Sequence, residues 1–253
     1  MTNIIQNRLK SAKGKIGFYY KNFVTKEEIS FNENETFIAA SVIKLPILAV
    51  VLSEVAKGNA SLSELITVKS EDKVPGCGAL YSFTNEPKVD IETLCNLMIT
   101  ISDNTATNVL IKNFTIEKLS EKFIEMRLND TKLKRLLFDS EAKQKGLENL
   151  FTPKEIGILL EQIYKRTFVN EKVSDQILEI LYQQQINHKI PGKLPNMLIA
   201  HKTGEDDGIT HDVGIVYADQ PFVICFASNE TDVHEFEEII RDVSYDLAMN
   251  NHR

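Results

Sequence analysis

The sequence predicts an α+β fold: a three-layer α/β/α arrangement in which an antiparallel sheet is built from N- and C-terminal strands and a mainly helical lobe is inserted between them. Three observations lead there. Apolar stretches with strand spacing occur only near the two ends, at 16–31 and 198–227, whereas the chain between them is spaced as helices. The run from Ile38 to Leu52 is apolar nearly all round, the mark of a helix buried in the middle of a protein. Strands at both ends with a helical middle give one sheet with an inserted lobe. The division reads as 1–40 with 191–253 for the sheet lobe and 41–190 for the helical lobe, one integrated unit with a pocket expected in the cleft between them.

Element by element, Ile16-Gly17-Phe18-Tyr19-Tyr20 and Ile29-Ser30-Phe31 form a hairpin across the polar bend Asn22 to Glu28. Asn32 to Glu35 turns the chain into the apolar helix, whose Pro46 suits a first turn where a missing N–H costs little. Thr93 to Ile101 and Thr105 to Phe114 are helical, so Ser102-Asp103-Asn104 lies between two helices. Asn129 to Asn149 is polar, holds Gly146 and shows no sustained period, and reads as a long surface loop or short helical pieces. Thr152-Pro153-Lys154-Glu155 opens the next helix with a capping-box pattern. Beyond Pro191 to Pro195 the period shifts toward two, giving strands at Leu198 to Lys202, Val213 to Tyr217 and Phe222 to Ala227, and a closing helix runs from Val233 to Met249.

Composition narrows the function classes. At 253 residues and 43% hydrophobic the chain can bury a substantial core. The net charge of -7, with no basic block, speaks against nucleic acid as a partner and points to a small-molecule substrate. Cys77, Cys95 and Cys225 are odd in number and irregularly spaced, so neither a disulfide framework nor a zinc site is expected, and no metal or cofactor is implied. Met1 to Lys15 contains no apolar secretory stretch, and no window reaches the ~18 apolar residues of a membrane span. The chain as it stands reads as cytoplasmic, or as secreted if a leader has been removed.

The chemistry lies in three short motifs in a fixed order: Ser41-Val42-Ile43-Lys44, Ser102-Asp103-Asn104 and Lys202-Thr203-Gly204. Each alone has an ordinary explanation, as a helix cap with a snorkelling lysine, an inter-helix cap, and a strand-ending turn. Together they describe acyl transfer. A serine hydroxyl needs a base and an oxyanion site, and Lys44 shares a helix face with Ser41 from one turn along. An apolar setting and a neighbouring cation such as Lys202 would depress the Lys44 pKa. Ser102 can relay a proton to a leaving nitrogen, and Asn104 can present its amide to a substrate amide. Lys202 can meet a carboxylate, Thr203 adds a hydroxyl donor, and Gly204 lets a substrate approach the strand edge closely.

These motifs, with Phe37-Ile38-Ala39-Ala40-Ser41-Val42-Ile43-Lys44-Leu45, Ile91 to Ala106 and His201-Lys202-Thr203-Gly204 around them, resemble the class A β-lactamase and penicillin-binding protein superfamily over about residues 16–248. The resemblance implies a β-lactamase/transpeptidase-like fold, acylation of Ser41, activation by Lys44, proton relay through Ser102, and carboxylate recognition by Lys202 and Thr203. It also implies an oxyanion hole from the backbone N–H groups of Ser41 and Glu205. Class A β-lactamases carry, in the long loop, a glutamate that activates the deacylating water and an asparagine four residues later. Here Glu141 is the first candidate, with Lys145 four residues on, and Glu148 beside Asn149 is the second. A solvated acidic loop residue is the competing explanation for either.

Other residues compete weakly. His188, His234 and His252 read as surface, and His201 points away from the Lys202 face by the strand period. His211 and Asp212 follow a Glu205-Asp206-Asp207-Gly208 turn, where hydrated carboxylates are the simpler reading than a metal site. The loop Pro75 to Tyr81 can line the cleft, with Tyr81 as a stacking wall. The expected function is a serine hydrolase of β-lactamase type; a cell-wall-peptide peptidase, transpeptidase or esterase on the same scaffold, or a slowly acylating penicillin-binding relative, are the alternatives.

Overall fold

The two ends of the chain meet in one antiparallel sheet. The computed structural model describes residues 1–251; His252, read above as surface, lies outside them. Its elements run α1 (Thr2–Ser11), β1 (Lys15–Asn22), β2 (Glu28–Phe31), β3 (Phe37–Ile38), α2 (Lys44–Ala56), β4 (Leu65–Thr67), β5 (Lys88–Asp90), α3 (Ile91–Thr100), α4 (Asn104–Phe114), α5 (Ile116–Glu125), α6 (Ser140–Gln144), β6 (Leu150–Phe151), α7 (Pro153–Tyr164), α8 (Glu171–Tyr182), β7 (Ile199–Asp206), β8 (Ile209–Val216), β9 (Phe222–Asn229) and α9 (Val233–Asn250). A 3-10 turn, Ala40–Ile43, leads into α2. The main sheet has the order β2-β1-β9-β8-β7, antiparallel at every pairing.

Alternation along the strands sorts side chains onto two buried faces. Phe18, Tyr20, Phe222, Ile224 and Phe226 face a layer formed by α1 and α9, where Ile5, Leu9, Phe236 and Ile240 pack. Tyr19, Val223, Cys225 and Ala227 face the opposite layer with α2, α7 and α8. The expected three layers are therefore present. β9 is apolar without interruption from Phe222 to Ala227 because it is covered on both sides. The register sets Phe18 opposite Phe226, with ring centroids 5.0 Å apart.

The hairpin, the two helices flanking Ser102 and the three C-terminal strands stand close to where the periodicity places them. Several local features differ. The buried helix starts at Lys44, after the short strand Phe37–Ile38 and the 3-10 turn, instead of at Ile38, and the strand pairs β3–β6 and β4–β5 are not among the expected strands. Met1 to Lys15, to which the sequence assigns no element, contains α1; only Ile5 and Leu9, four residues apart on one face, are buried, too few to show a period. The expected turn at Glu205 to Gly208 is shorter, since Glu205 and Asp206 belong to β7 and pair with Thr210 and Ile209. The capping box at Thr152 is half formed. Thr152 Oγ1 accepts from Glu155 N at 3.2 Å, but the Glu155 carboxylate accepts from Asp130 N, Thr131 N and Thr131 Oγ1 at 2.9, 2.8 and 2.7 Å, tying down the start of the 129–149 loop.

Among the described residues no helix is long and apolar enough to cross a membrane. Because Leu9 is fully buried between α1, the sheet and α9, Leu9→Ala should cost about 2–5 kcal/mol of stability. Denaturant unfolding would register it as a lower midpoint with an unchanged slope.

Candidate active site

Ser41 sits in the 3-10 turn that precedes α2, next to Ala40, whose φ of +42 is a conformation that a residue with a Cβ adopts only under constraint. The constraint is visible on both sides. Ala39 N donates to Asn149 O at 2.8 Å, and His211 Nε2 meets Ile38 O at 2.8 Å while its Nδ1 accepts from Ser228 N at 3.1 Å. Burial lowers the His211 pKa to about 3, so this imidazole is neutral, and with its two ring nitrogens taken up by Ile38 O and Ser228 N it acts as a structural brace.

Lys44, one turn after Ser41, is fully buried. Its Nζ lies 2.9 Å from Ser41 Oγ, 2.7 Å from Ser102 O, 2.9 Å from Ser102 Oγ and 2.7 Å from Asn104 Oδ1. Burial first, and then the nearby charge of Lys202, hold its pKa well below the usual lysine range. A neutral amine has two hydrogens and one lone pair. The two carbonyl oxygens can only accept, so they take the hydrogens, and the lone pair is left for a hydroxyl that can give up its proton. Lys202 Nζ, also fully buried, donates to Ser102 Oγ at 3.1 Å and to Thr203 O at 2.8 Å. Its pKa is lowered to about 7 by burial and Lys189, against the opposing pull of Asp212. The Ser102 hydroxyl thus bridges two lysines, one on each lobe.

The Ser102 turn is built for that placement. Ser102 has φ +56, and Asp103 caps α4 by accepting from Ala106 N at 2.8 Å while its other oxygen accepts from Ala79 N and Leu80 N at 2.7 and 2.9 Å. Gly78 is required there: a Cβ on it would stand 2.3 Å from the Asp103 carboxyl carbon. Asn104 donates to Pro75 O at 3.1 Å, which orients its amide so that the oxygen faces Lys44 and one N–H remains for another partner.

β7 forms the edge of the sheet. At Gly204 an added Cβ would meet His211 at 3.0 Å and Val42 at 3.1 Å, so this glycine also lets the strand lie against the nucleophile's own turn. Thr203 is buried and Glu205 lines the cleft. A cavity of about 370 Å³ opens over Ser41, bordered by Gly76, Cys77, Asn104, Leu137, Phe138 and Glu205 among others. Tyr81 is exposed and does not border it.

The long loop differs from expectation. Glu141 lies on α6 with its side chain 79% exposed and paired to Lys145 at 2.6 Å, outside the cavity. Glu148 is bound to Arg135 at 2.7 Å. The loop presents Leu137 and Phe138 to the cleft instead, because Asn108 grips Leu137 from both sides, accepting from its N at 2.8 Å and donating to its O at 2.9 Å. Asn149 likewise accepts from Lys134 N and Arg135 N. Asn108 was legible as a buried-face polar residue one turn beyond Asn104. Leu137 carried no signal of its own.

The sequence reading also passed over Lys189. It is fully buried and donates to Gly204 O at 3.3 Å, His211 O at 3.2 Å and the Glu205 carboxylate at 2.9 Å. Its flanks are fixed by Asp212, which accepts from Ile190 N at 3.0 Å and pairs with His201 at 2.9 Å. Neither His201 nor Asp212 faces the cleft.

Comparison with known proteins agrees with this geometry. The model of the "Beta-lactamase enzyme family" matches residues 1–250. The chain belongs to that family. Beta-lactamase VEB-1 of Pseudomonas aeruginosa is 29% identical, over 96% of this chain and 88% of that protein. The solved structure of PBP-A superimposes with a TM-score of 0.90 at 27% identity, covering 98% of this chain and 94% of the other. The acyl-enzyme complex of a PBP-A mutant with penicillin-G superimposes at 0.89 and 26%, covering 99% and 96%. The fold is the one that the motifs implied.

With a pKa near 7, Lys202 should carry its proton below about pH 7 and lose it above, while Lys44 is depressed in the same direction. Lysine side-chain carbon NMR of the resting protein should show one lysine titrating near pH 7, several units below the surface lysines, and Lys202→Met should remove that curve.

Proposed function

We propose that the protein is a serine hydrolase of β-lactamase type that opens a β-lactam amide, or a related amide or ester, through an acyl-Ser41 intermediate. The observation that carries this is the Lys44 amine set 2.9 Å from both the Ser41 and Ser102 hydroxyls, in surroundings that favour its neutral form. Lys44 takes the Ser41 proton as Oγ attacks the carbonyl. The oxyanion is received by the N–H groups of Ser41 and Glu205, as the family resemblance implies. Collapse breaks the C–N bond, and Ser102 passes a proton to the leaving nitrogen, its own hydroxyl being resupplied from Lys44. Lys202 and Thr203 hold the substrate carboxylate, and the remaining Asn104 N–H meets the acyl amide. Family membership and the penicillin-G acyl-enzyme of the similar PBP-A mutant support the reading.

A second reading concerns release. With Leu137 and Phe138 at the cleft and Glu141 turned to solvent, no loop glutamate is set to activate a deacylating water, which favours a long-lived acyl-enzyme. A penicillin-binding species that turns over slowly is the form of the activity this geometry supports best.

Ser41→Ala should abolish covalent labelling by a fluorescent penicillin; retained labelling would end the assignment. For substrates bearing a carboxylate, kcat/KM should fall above pH 7 as Lys202 loses its proton, by up to about tenfold per pH unit. A chromogenic cephalosporin should give a burst of one equivalent followed by slow release, and Leu137→Glu should shorten the acyl-enzyme lifetime about tenfold or more; rapid wild-type turnover with no burst would contradict slow release. A p-nitrophenyl ester run in parallel separates β-lactam preference from esterase activity.

A further inference from the structure

We propose that the Glu205 carboxylate, paired with the buried ammonium of Lys189, is a built-in competitor for a substrate carboxylate, so that carboxylate-bearing acyl donors are held less tightly than the Lys202-Thr203 edge alone would hold them and uncharged donors gain by comparison. The inference rests on the reading above that the Lys202-Thr203 edge receives the acyl donor. It concerns which donors are accepted there.

Thr203 and Glu205 are two residues apart on β7 and therefore project from the same face. Lys189 reaches that face from below, with its Nζ 2.9 Å from a Glu205 oxygen and 3.3 Å from Gly204 O. The lysine cannot swing away, because both neighbours are anchored. Asn187 receives His201 Nε2 at 2.9 Å on one side, and Ile190 N donates to Asp212 at 3.0 Å on the other. The Lys189 cation is fully buried, and Glu205 covers it from the cleft.

The electrostatics point the same way. Burial pushes the Glu205 carboxyl up, but Lys189, His188 and Lys202 outweigh it and keep the carboxylate ionised. With Lys202 protonated, the two lysines alone would give this edge up to two positive charges; Glu205 offsets one of them from within the chain. An incoming carboxylate must either displace Glu205 from Lys189 or lie beside a like charge, and a buried charge left without its partner is costly. An ester or amide group meets neither penalty. Asp206, exposed at the same wall, adds to the negative field.

His188, Glu205 and Glu237 have ligand atoms within 4.8 Å of one another, close enough to surround a metal ion. The Lys189 ammonium, 2.9 Å from Glu205 and 4.0 Å from Glu237, already fills the place of that cation. This fixes the carboxylate where a substrate anion would otherwise sit.

The test compares a matched pair of acyl donors, benzylpenicillin and its methyl ester, by the rate of Ser41 acylation in the full-length protein. Glu205→Gln should raise the acid-to-ester ratio of acylation rate constants about tenfold. Asp206→Asn removes the same charge at the same wall without touching Lys189, and should move the ratio less than about threefold. An unchanged ratio in Glu205→Gln, or equal shifts in both variants, overturns the proposal. Failure of the underlying acylation reading is seen separately, as absence of Ser41 labelling by either donor in the unsubstituted protein. The proposal is then still decided by binding. In a Ser41→Ala background, calorimetry should show Glu205→Gln tightening the dissociation constant for benzylpenicillin by a similar factor, and no change rejects it.

Discussion

The site depends on removing two lysine side chains from water and leaving their nitrogens mainly carbonyl and hydroxyl oxygens as neighbours. Lys44 and Lys202 are fully buried and both reach Ser102 Oγ. A cationic ammonium in such a place is expensive, so burial holds both amines below the usual lysine range, Lys202 at about 7 and Lys44 well below its ordinary value. This is the condition a base needs. The apolar character of the 3-10 turn and α2, which flank Lys44 with the buried Val42, Ile43, Leu45 and Ile47, is therefore part of the chemistry as well as of the core.

Holding the two amines on one hydroxyl requires the backbone to take conformations it would otherwise avoid. Ala40 and Ser102 both have positive φ, and each is held by partners that belong to other elements. Asp103 spends its carboxylate on three backbone N–H groups, and the neutral His211 imidazole braces Ile38 from β8. Strain of this kind persists only where the surroundings over-determine it. Packing at Gly204, where the strand touches Val42 and His211, closes the same arrangement from the sheet side.

Two features around this centre set what the acylation machinery does. On the helical side Asn108 and Asn149 fix the loop so that Leu137 borders the cavity and Glu141 does not. On the sheet side the Lys189–Glu205 pair offsets a cation that would otherwise be free for an anionic substrate. Both lie outside the three motifs. They bear on release and selectivity, while the motifs bear on attack.

What the sequence by itself determined is what local spacing can carry. Period two at the chain ends, an all-round apolar helix, and a lysine three residues after a serine are short-range regularities, and each appears in the structure, the helix with its start moved from Ile38 to Lys44. The family resemblance implied that Ser41, Lys44, Ser102 and Lys202 share one site, and in the structure Ser102 and Lys202, 100 residues apart, are hydrogen-bonded. What only the tertiary structure decided are the contacts with no local signature. Glu141 reads as well as any acidic residue in its loop, yet the Asp139 cap on α6 and the Lys145 ion pair turn it outward. Lys189 lies in a polar stretch like many others, and only the approach of the 3-10 turn Ile190–Lys193 to β7 and β8 buries it behind the cleft. α1 contributes two anchoring residues, too few to register until a sheet and α9 are there to cover them. In each case the deciding energy comes from burial and charge pairing between segments far apart in the chain, and that information does not reside in any one of them.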